Sequence, residues 1–250
     1  MDSLCKPLYV AGIGPGGAAS MTQKVLLALE AADCIVGYGL YVELLAPELI
    51  SGKHIVTSGM RHERERCEKA VDLALSGKTT ILISSGDPGI YGMASLVIEI
   101  LARRQLINNF PLEIMPGVSS LCAAAAALGA PIGHDFACIS LSDLLTPWTL
   151  IEKRLEAAFA SDLVTILFNP RSRGRPDNLA RAIELAKKWR VPTCPVGLCR
   201  NIQRAGEETW LTDLANFTPE RADMLSLIFI GASQSCQTGR WMLTPRGYKL

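Results

Sequence analysis

Three short turns built from small residues hold the groups best suited to grip a ligand by its polar ends. Gly12-Ile13-Gly14-Pro15-Gly16-Gly17 joins an apolar run to a helical pattern. Ser84-Ser85-Gly86-Asp87-Pro88-Gly89-Ile90-Tyr91-Gly92 and Pro116-Gly117-Val118-Ser119-Ser120 do the same further along. Glycine at such corners lets a ligand or another stretch of backbone approach the main chain closely. Free amides and hydroxyls at a helix start supply hydrogen-bond donors, and Asp87 adds a carboxylate. The first turn satisfies G-x-G-x-x-G formally, but a nicotinamide site also needs an acid closing the second strand. Asp33 instead precedes Cys34-Val36, and Gly37-Tyr38-Gly39 occupy the acid's place. No Gly-Lys-Ser/Thr follows to complete a phosphate loop, and Pro15 stiffens the turn. The plainer reading makes each turn a strand-to-helix corner, with Asp87, Ser119 and Ser120 as helix caps.

Other chemistry-bearing residues lie beyond these turns. Ser140, Ser142, Asp143 and Thr146 put several proton carriers into one strand-to-helix loop, where the bland alternative is capping of the helix near Pro147. His134, Asp135, Asp143 and Asp87 could each act as a base, and spacing does not choose among them. His134 reads equally as a hydrogen-bonded hinge residue. Arg171, Arg173 and Arg175 share one loop, with Arg200, Arg204 and Arg246 near other strand ends. Arginine forks suit carboxylates, although solvated loops carry such charges anyway. The run from Arg61 to Arg66 mixes both signs and reads as a solvated, ion-paired helix start.

Elements that would position these residues follow from hydrophobic periodicity. Strands are expected at 8–13, 34–36, 54–57, 80–84 and 112–115, with helices at 22–32, 63–75 and 93–104 between them. Ser20 or Thr22 and Asp87 stand where caps belong. The second half continues with an Ala-rich helix at 119–128, strands at 136–141, 164–168, 196–199 and 225–230, and helices at 147–159 and 177–189. This alternation predicts an α/β fold with a mostly parallel sheet in two lobes, 1–128 and 129–250. The turn-rich stretch 129–134 reads as the hinge between them.

With 250 residues, 49% of them hydrophobic and 20% charged, the chain can bury a large core, which excludes a disordered segment. Its net charge of +1 provides no global field for nucleic acid or an anionic membrane, so an anionic partner must be held by a local basic cluster. The longest apolar run, 121–132, is too short to span a bilayer. Eight cysteines without a C-x-x-C pair, and no signal segment at the start, read as reduced thiols in a cytoplasmic protein. Neither they nor His54, His62 and His134 show metal-ligand spacing, so no metal site is expected.

Taken in order, the three turns resemble those of the tetrapyrrole methylase family. The resemblance extends through His134-Asp135-Phe136 and Ile139-Ser140-Leu141-Ser142-Asp143-Leu144-Leu145-Thr146-Pro147-Trp148. It continues in Phe168-Asn169-Pro170-Arg171-Ser172, Cys199-Arg200-Asn201, Gly206-Glu207-Glu208 and Thr244-Pro245-Arg246-Gly247-Tyr248. These segments look like the branch that methylates C17 of a corrin precursor, of the precorrin-3B or cobalt-precorrin-3 type, and contracts its ring. The resemblance implies two α/β lobes enclosing S-adenosyl-L-methionine in a cleft, a tetrapyrrole substrate and a homodimer. It also implies cofactor contacts from Pro15, Ser85, Gly86, Asp87, Ile90, Ser119 and Ser120, with Asn169 and Ile202 from the second lobe. Methyl transfer needs alignment more than a nucleophilic side chain, whereas ring contraction needs a base, for which Asp143, Ser142 and His134 are the expected catalytic residues. Alternatives are a family member acting at another macrocycle carbon, a diphthine-forming enzyme, or a nucleotide-sensing module without chemistry.

Overall fold

A computed structural model of the chain describes residues 5–249, which group into two compact units, one ending at Ser120 and the other beginning at Leu121. The first unit carries a five-stranded sheet in which every pairing is parallel. Its elements are β1 (Leu8–Gly12), α1 (Gln23–Ala31), β2 (Cys34–Tyr38), α2 (Gly39–Val42), α3 (Pro47–Ile50), β3 (His54–Ser58), α4 (Glu63–Leu75), β4 (Thr80–Ser84), α5 (Ala94–Arg103) and β5 (Leu112–Met115). The strand order is β3-β2-β4-β1-β5. Parallel strands covered on both faces read as continuous apolar runs. In β4, Ile81 and Ile83 join the core under α1, while Leu82 joins Val10 and Val36 beneath α4 and α5. Each such fully buried aliphatic contributes about 1.5–3 kcal/mol.

The Thr22 side chain caps α1, accepting from the Val25 amide at 3.3 Å. Ser20 instead donates to the Gly16 carbonyl at 2.7 Å and braces the glycine turn. Asp87 does not cap α5, which begins seven residues later at Ala94 and has no side-chain cap. The run of small and turn-forming residues to Gly92 delays that helix.

In the second unit, the elements are α6 (Ser120–Leu128, begun by the last residue of the first unit), β6 (Gly129–Ala130), β7 (Phe136–Ser140), α7 (Trp148–Ala160), β8 (Val164–Phe168), α8 (Asn178–Lys187), β9 (Pro195–Arg200), β10 (Glu208–Asp213), β11 (Ser226–Ile230), β12 (Cys236–Thr238) and β13 (Trp241–Leu243). Its main sheet runs β10-β9-β11-β8-β7. Only β7 and β8 pair in parallel, so the expected mostly parallel arrangement does not extend here. The cause is β11, which returns antiparallel between β8 and β9. Helices α7 and α8 cover one face, and Leu121, Ala124 and Leu128 of α6 join the core of the other.

Residues 129–134, expected as a hinge, are pinned within this unit. β6 pairs with β13, the Thr244 amide donates to Ala130 O at 3.0 Å, and the Thr244 hydroxyl donates to Pro131 O at 2.6 Å. All eight cysteines are free thiols.

Candidate functional site

Register brings the three sequence turns together. Gly12 pairs with Ser84 across β1 and β4, and Ala11 pairs with Met115 across β1 and β5. All three turns therefore leave the same edge of the sheet, at the carboxyl ends of adjacent parallel strands, where open α/β sheets bind ligands. Gly14 and Gly86 form a reciprocal main-chain pair, with Gly86 N donating to Gly14 O at 2.8 Å and Gly14 N to Gly86 O at 3.2 Å. Both lie in the left-handed region, at φ 74° and 68°.

Gly12, Gly86 and Gly117 meet backbone to backbone. A Cβ on Gly12 would lie 2.8 Å from Gly117 N, and one on Gly117 would lie 2.5 Å from Gly12 O, each still closer to Gly86 O. No side chain fits at that junction. Asp87 locks it, because Oδ2 accepts from Gly117 N at 3.1 Å while Oδ1 accepts from Gly89 N at 2.8 Å. The carboxylate expected to face a cofactor is thus engaged in holding two turns in register, a positioning role. Around the junction, Pro15, Gly86 and Ser119 are buried, Ser85 and Ser120 half-buried, and Ile90 exposed. The three turns contain neither lysine nor arginine. Hydroxyls, main-chain amides and close glycines without a cation suit a zwitterionic sulfonium such as S-adenosyl-L-methionine better than a polyphosphate.

The second unit gathers its own cluster. Because β11 is antiparallel to both β8 and β9, those two strands point the same way as β7, and their carboxyl ends share one edge. There, Asn169, in the left-handed region at φ 51°, donates from Nδ2 to Ser140 Oγ at 2.9 Å. Ser140 Oγ also accepts from Ser142 N at 3.2 Å. The Arg175 side chain, 10% exposed, lies 3.8 Å from Asp143 Oδ1 and donates to Leu141 O at 3.4 Å. Asn178 donates to the same carbonyl at 2.9 Å. The helix after this loop has Pro147 at its N-cap and no side-chain cap, so Ser142 and Asp143 shape the loop rather than cap α7. Leu144 and Leu145 project from it, 61% and 99% exposed.

Ile202 lies on the same edge, but its side chain is buried in the second unit's core between Asn201 and Gln203, both of positive φ. It can offer a ligand main chain only. His134 stands apart. It leads into β7 from the amino end, about 20 Å from Ser140, where the strand gives way to the Ser142-Asp143 loop, at roughly 3.3 Å per residue. Its Nδ1 accepts from the Asp135 amide at 2.8 Å.

Among the loop arginines, Arg171 contacts Pro176 O and Glu220 O, while Arg200 and Arg221 both hold Glu208. No group of three or more His, Cys, Asp or Glu is arranged to hold a metal among the described residues. Burial pushes the Cys67 and Cys199 thiols up to about 12 and Cys194 to about 11, which removes them as nucleophiles at neutral pH. Sequence reading missed Arg66. It was grouped with a solvated charge run, yet it is 5% exposed on the inner face of α4.

Residues 7–218 match the family of Tetrapyrrole (Corrin/Porphyrin) Methylases. The chain belongs to that family. Among relatives of this methylase, a probable cobalt-factor III C(17)-methyltransferase of Salmonella typhimurium is 46% identical, over 97% of this chain and 100% of its own. A precorrin-3B C(17)-methyltransferase of Sinorhizobium is 37% identical, over 96% of each chain. The crystal structure of the methyltransferase CobJ superposes with a TM-score of 0.91 at 36% identity, covering 96% of this methylase and 100% of CobJ.

Proposed function

We propose that this methylase transfers the methyl group of S-adenosyl-L-methionine to C17 of a tetrapyrrole of the cobalt-precorrin-3 or precorrin-3B type and promotes ring contraction, within cobalamin biosynthesis. The observation that carries the reading is the end-to-end relation, at 46% identity, to a protein named for C17 methylation of cobalt-factor III. Relatives at 46% and 41% identity are both named for cobalt-factor III, which supports the cobalt-loaded substrate, with any cobalt belonging to the macrocycle. When bound, S-adenosyl-L-methionine supplies an electrophilic methyl on a sulfonium. The chain's task is then to hold and align. Pro15, the Ser85-Gly86-Asp87 turn, Ile90, Ser119 and Ser120 form the cofactor-binding edge of the first unit, with Asp87 fixing the turns. In the second unit, Asn169 and the main chain of Ile202 are proposed as cofactor contacts.

Proton handling during contraction falls to Asp143 and Ser142. Asp143 is held by Arg175, and the Ser142 amide is tied to Ser140 Oγ. His134 takes no step in this scheme, because it sits at the other end of β7. Leu145 gives an apolar surface for a macrocycle face to cover. The active form is a cytoplasmic homodimer. No helix among the described residues is long and apolar enough to cross a membrane.

Incubation with S-adenosyl-L-methionine and each macrocycle, read by product mass and visible spectrum, tests the proposal. The expected product is a methylated, contracted ring from the cobalt-loaded substrate. A methylated product that is never contracted on either macrocycle refutes the contraction step, and methylation at another carbon refutes the C17 assignment.

A further inference from the structure

The face of the first sheet beneath α4 and α5 ends in a row of polar side chains. Val56, Val36, Leu82 and Val10 pack against this core from β3, β2, β4 and β1. Two residues on, alternation brings Ser58, Tyr38, Ser84 and Gly12 to the same face. Ser58 pairs with Tyr38, the register of Val36 with Leu82 sets Tyr38 opposite Ser84, and Ser84 pairs with Gly12 of the glycine junction. Neighbouring members lie about 4.8 Å apart.

Over this row lies Arg66, from the first turn of α4. Its Nε donates to Ser58 Oγ at 2.9 Å, and Nη2 to Gly59 O at 2.8 Å and Ser58 O at 3.4 Å. The guanidinium stands 5.7 Å from the Tyr38 ring centre. Among the described residues, its remaining nitrogen, Nη1, meets only the thioether of Met93, at 4.0 Å. A thioether is a weak acceptor. Among the described residues, no carboxylate oxygen comes within 4.0 Å of Arg66.

A buried cation ordinarily has an anion, since burying an unpaired charge is costly. The other buried arginine, Arg190, follows that rule: it donates to Gly231, Phe159 and Leu163 carbonyls and also faces Asp162 Oδ1 at 3.4 Å. Arg66 has the neutral acceptors and lacks the anion. Independently, Ser84 Oγ in the same row is wholly buried and has no hydrogen-bond partner. One stretch of the ligand-bearing edge therefore holds two unmet donors, a guanidinium N–H and a hydroxyl, beside the turn that ends at Gly92.

We propose that Arg66 is a carboxylate-anchoring residue of the substrate site, seating an acidic side chain of the tetrapyrrole on Nη1. Met93, directly after Gly92, covers that nitrogen, and its unbranched side chain can swing aside. The fork of Arg66 is already oriented by Ser58, Gly59 and Tyr38, so seating the carboxylate requires little further ordering. The source of the carboxylate rests on the tetrapyrrole reading above; the unmet donors do not.

The test uses uroporphyrin III, a stable polycarboxylate tetrapyrrole, titrated by fluorescence, and S-adenosylhomocysteine titrated by calorimetry. Arg66→Gln should weaken uroporphyrin binding roughly 10- to 100-fold, the loss of a charge-assisted hydrogen bond, with S-adenosylhomocysteine affinity unchanged. Arg66→Lys, which keeps the charge without the fork, should fall between and serves as the variant if the glutamine protein does not fold. Uroporphyrin affinity equal to wild type in a folded variant reduces Arg66 to a tie between α4 and the loop after β3, and overturns the proposal. Loss of S-adenosylhomocysteine binding alone assigns the carboxylate to the cofactor and overturns it too. Wild-type protein that binds no tetrapyrrole removes the functional reading along with it, whereas wild-type turnover without dependence on Arg66 removes this proposal alone.

Discussion

Replacing Gly117 with alanine tests the glycine junction at its tightest point. The residue's φ is outside the left-handed region, so alanine is judged by space alone. Its Cβ would lie 2.5 Å from Gly12 O and closer to Gly86 O, where ordinary carbon-oxygen contact is about 3.3 Å. Both obstacles are main-chain atoms of adjacent strand ends, so no rotamer change relieves the overlap, and the turns must part by nearly 1 Å. Parting them also stretches the bond from Gly117 N to Asp87 Oδ2. Overpacking costs about 1–3 kcal/mol and a hydrogen bond to a charged group about 1.5–3, together roughly 3–5 kcal/mol. For a chain of this size that lowers Tm by roughly 6–20 °C. Gly174→Ala is the control, since nothing lies within 4 Å of its added Cβ. Thermal melts and calorimetric titration with S-adenosylhomocysteine, run below the variant's Tm, read stability and site integrity separately. The expected outcome is a lowered Tm with affinity reduced at least ~10-fold, against no change in the control. An alanine variant that melts and binds like wild type would show that the three turns neither touch as described nor shape the cofactor site.

Asp87→Ala should cost about 2–4 kcal/mol through loss of one exposed and one partly buried hydrogen bond, and weaken S-adenosylhomocysteine binding without unfolding the chain; unchanged melting and affinity would count against its locking role. Ser84→Ala removes a buried hydroxyl with no partner and should raise stability by about 1 kcal/mol in ligand-free protein, seen as a higher urea midpoint. A lower midpoint would mean the hydroxyl is satisfied. Burial raises the Asp162 carboxyl, but two hydrogen bonds from Ser233 and the nearby Arg190 outweigh it and hold it below its ordinary value of 3.8. A lowered folded pKa stabilises above the unfolded value and is lost as pH falls through the folded one. Asp162→Asn should therefore melt below wild type near neutral pH, with the gap closing beneath about pH 4; a gap that persists into acid would assign the loss to packing.

Glycine and proline made the site-bearing turns legible, because the positions needing close approach admit little else, and apolar runs located the strands behind them. The short edge elements escaped notice for the opposite reason. β10 mixes Thr209, Trp210 and Thr212 on a half-exposed strand, and β12 is exposed throughout, so neither presents a periodic apolar face. The antiparallel return of β11 was likewise invisible, since a fully buried pentapeptide with four consecutive apolar residues has no direction in its sequence. Arg66 was readable in principle. With Cys67, Ala70, Val71 and Ala74 it falls on one helical stripe, and a charge inside an apolar stripe signals burial more strongly than charged neighbours signal solvent.

Strand direction also explains why the polar residues of the second unit collect as they do. Outgoing loops of β7, β8 and β9 leave one edge, so Ser140 and Asn169, 29 positions apart, can share a hydrogen bond. The antiparallel neighbours β10 and β11 begin on that edge, with Glu208 and Ser226 both opposite Arg200, and the ion pairs of Glu208 with Arg200 and Arg221 form there. The segments Ser140-Trp148, Phe168-Ser172, Cys199-Asn201 and Gly206-Glu208 thus converge although long stretches of chain separate them. His134 resembles the family as closely as they do, yet it precedes β7 instead of following it, and a strand's length cannot be crossed by an imidazole. Under the proposed ring contraction, a base would come from the loops at this edge, where Asp143, held by Arg175, is the carboxylate of the strand-to-helix loop after β7.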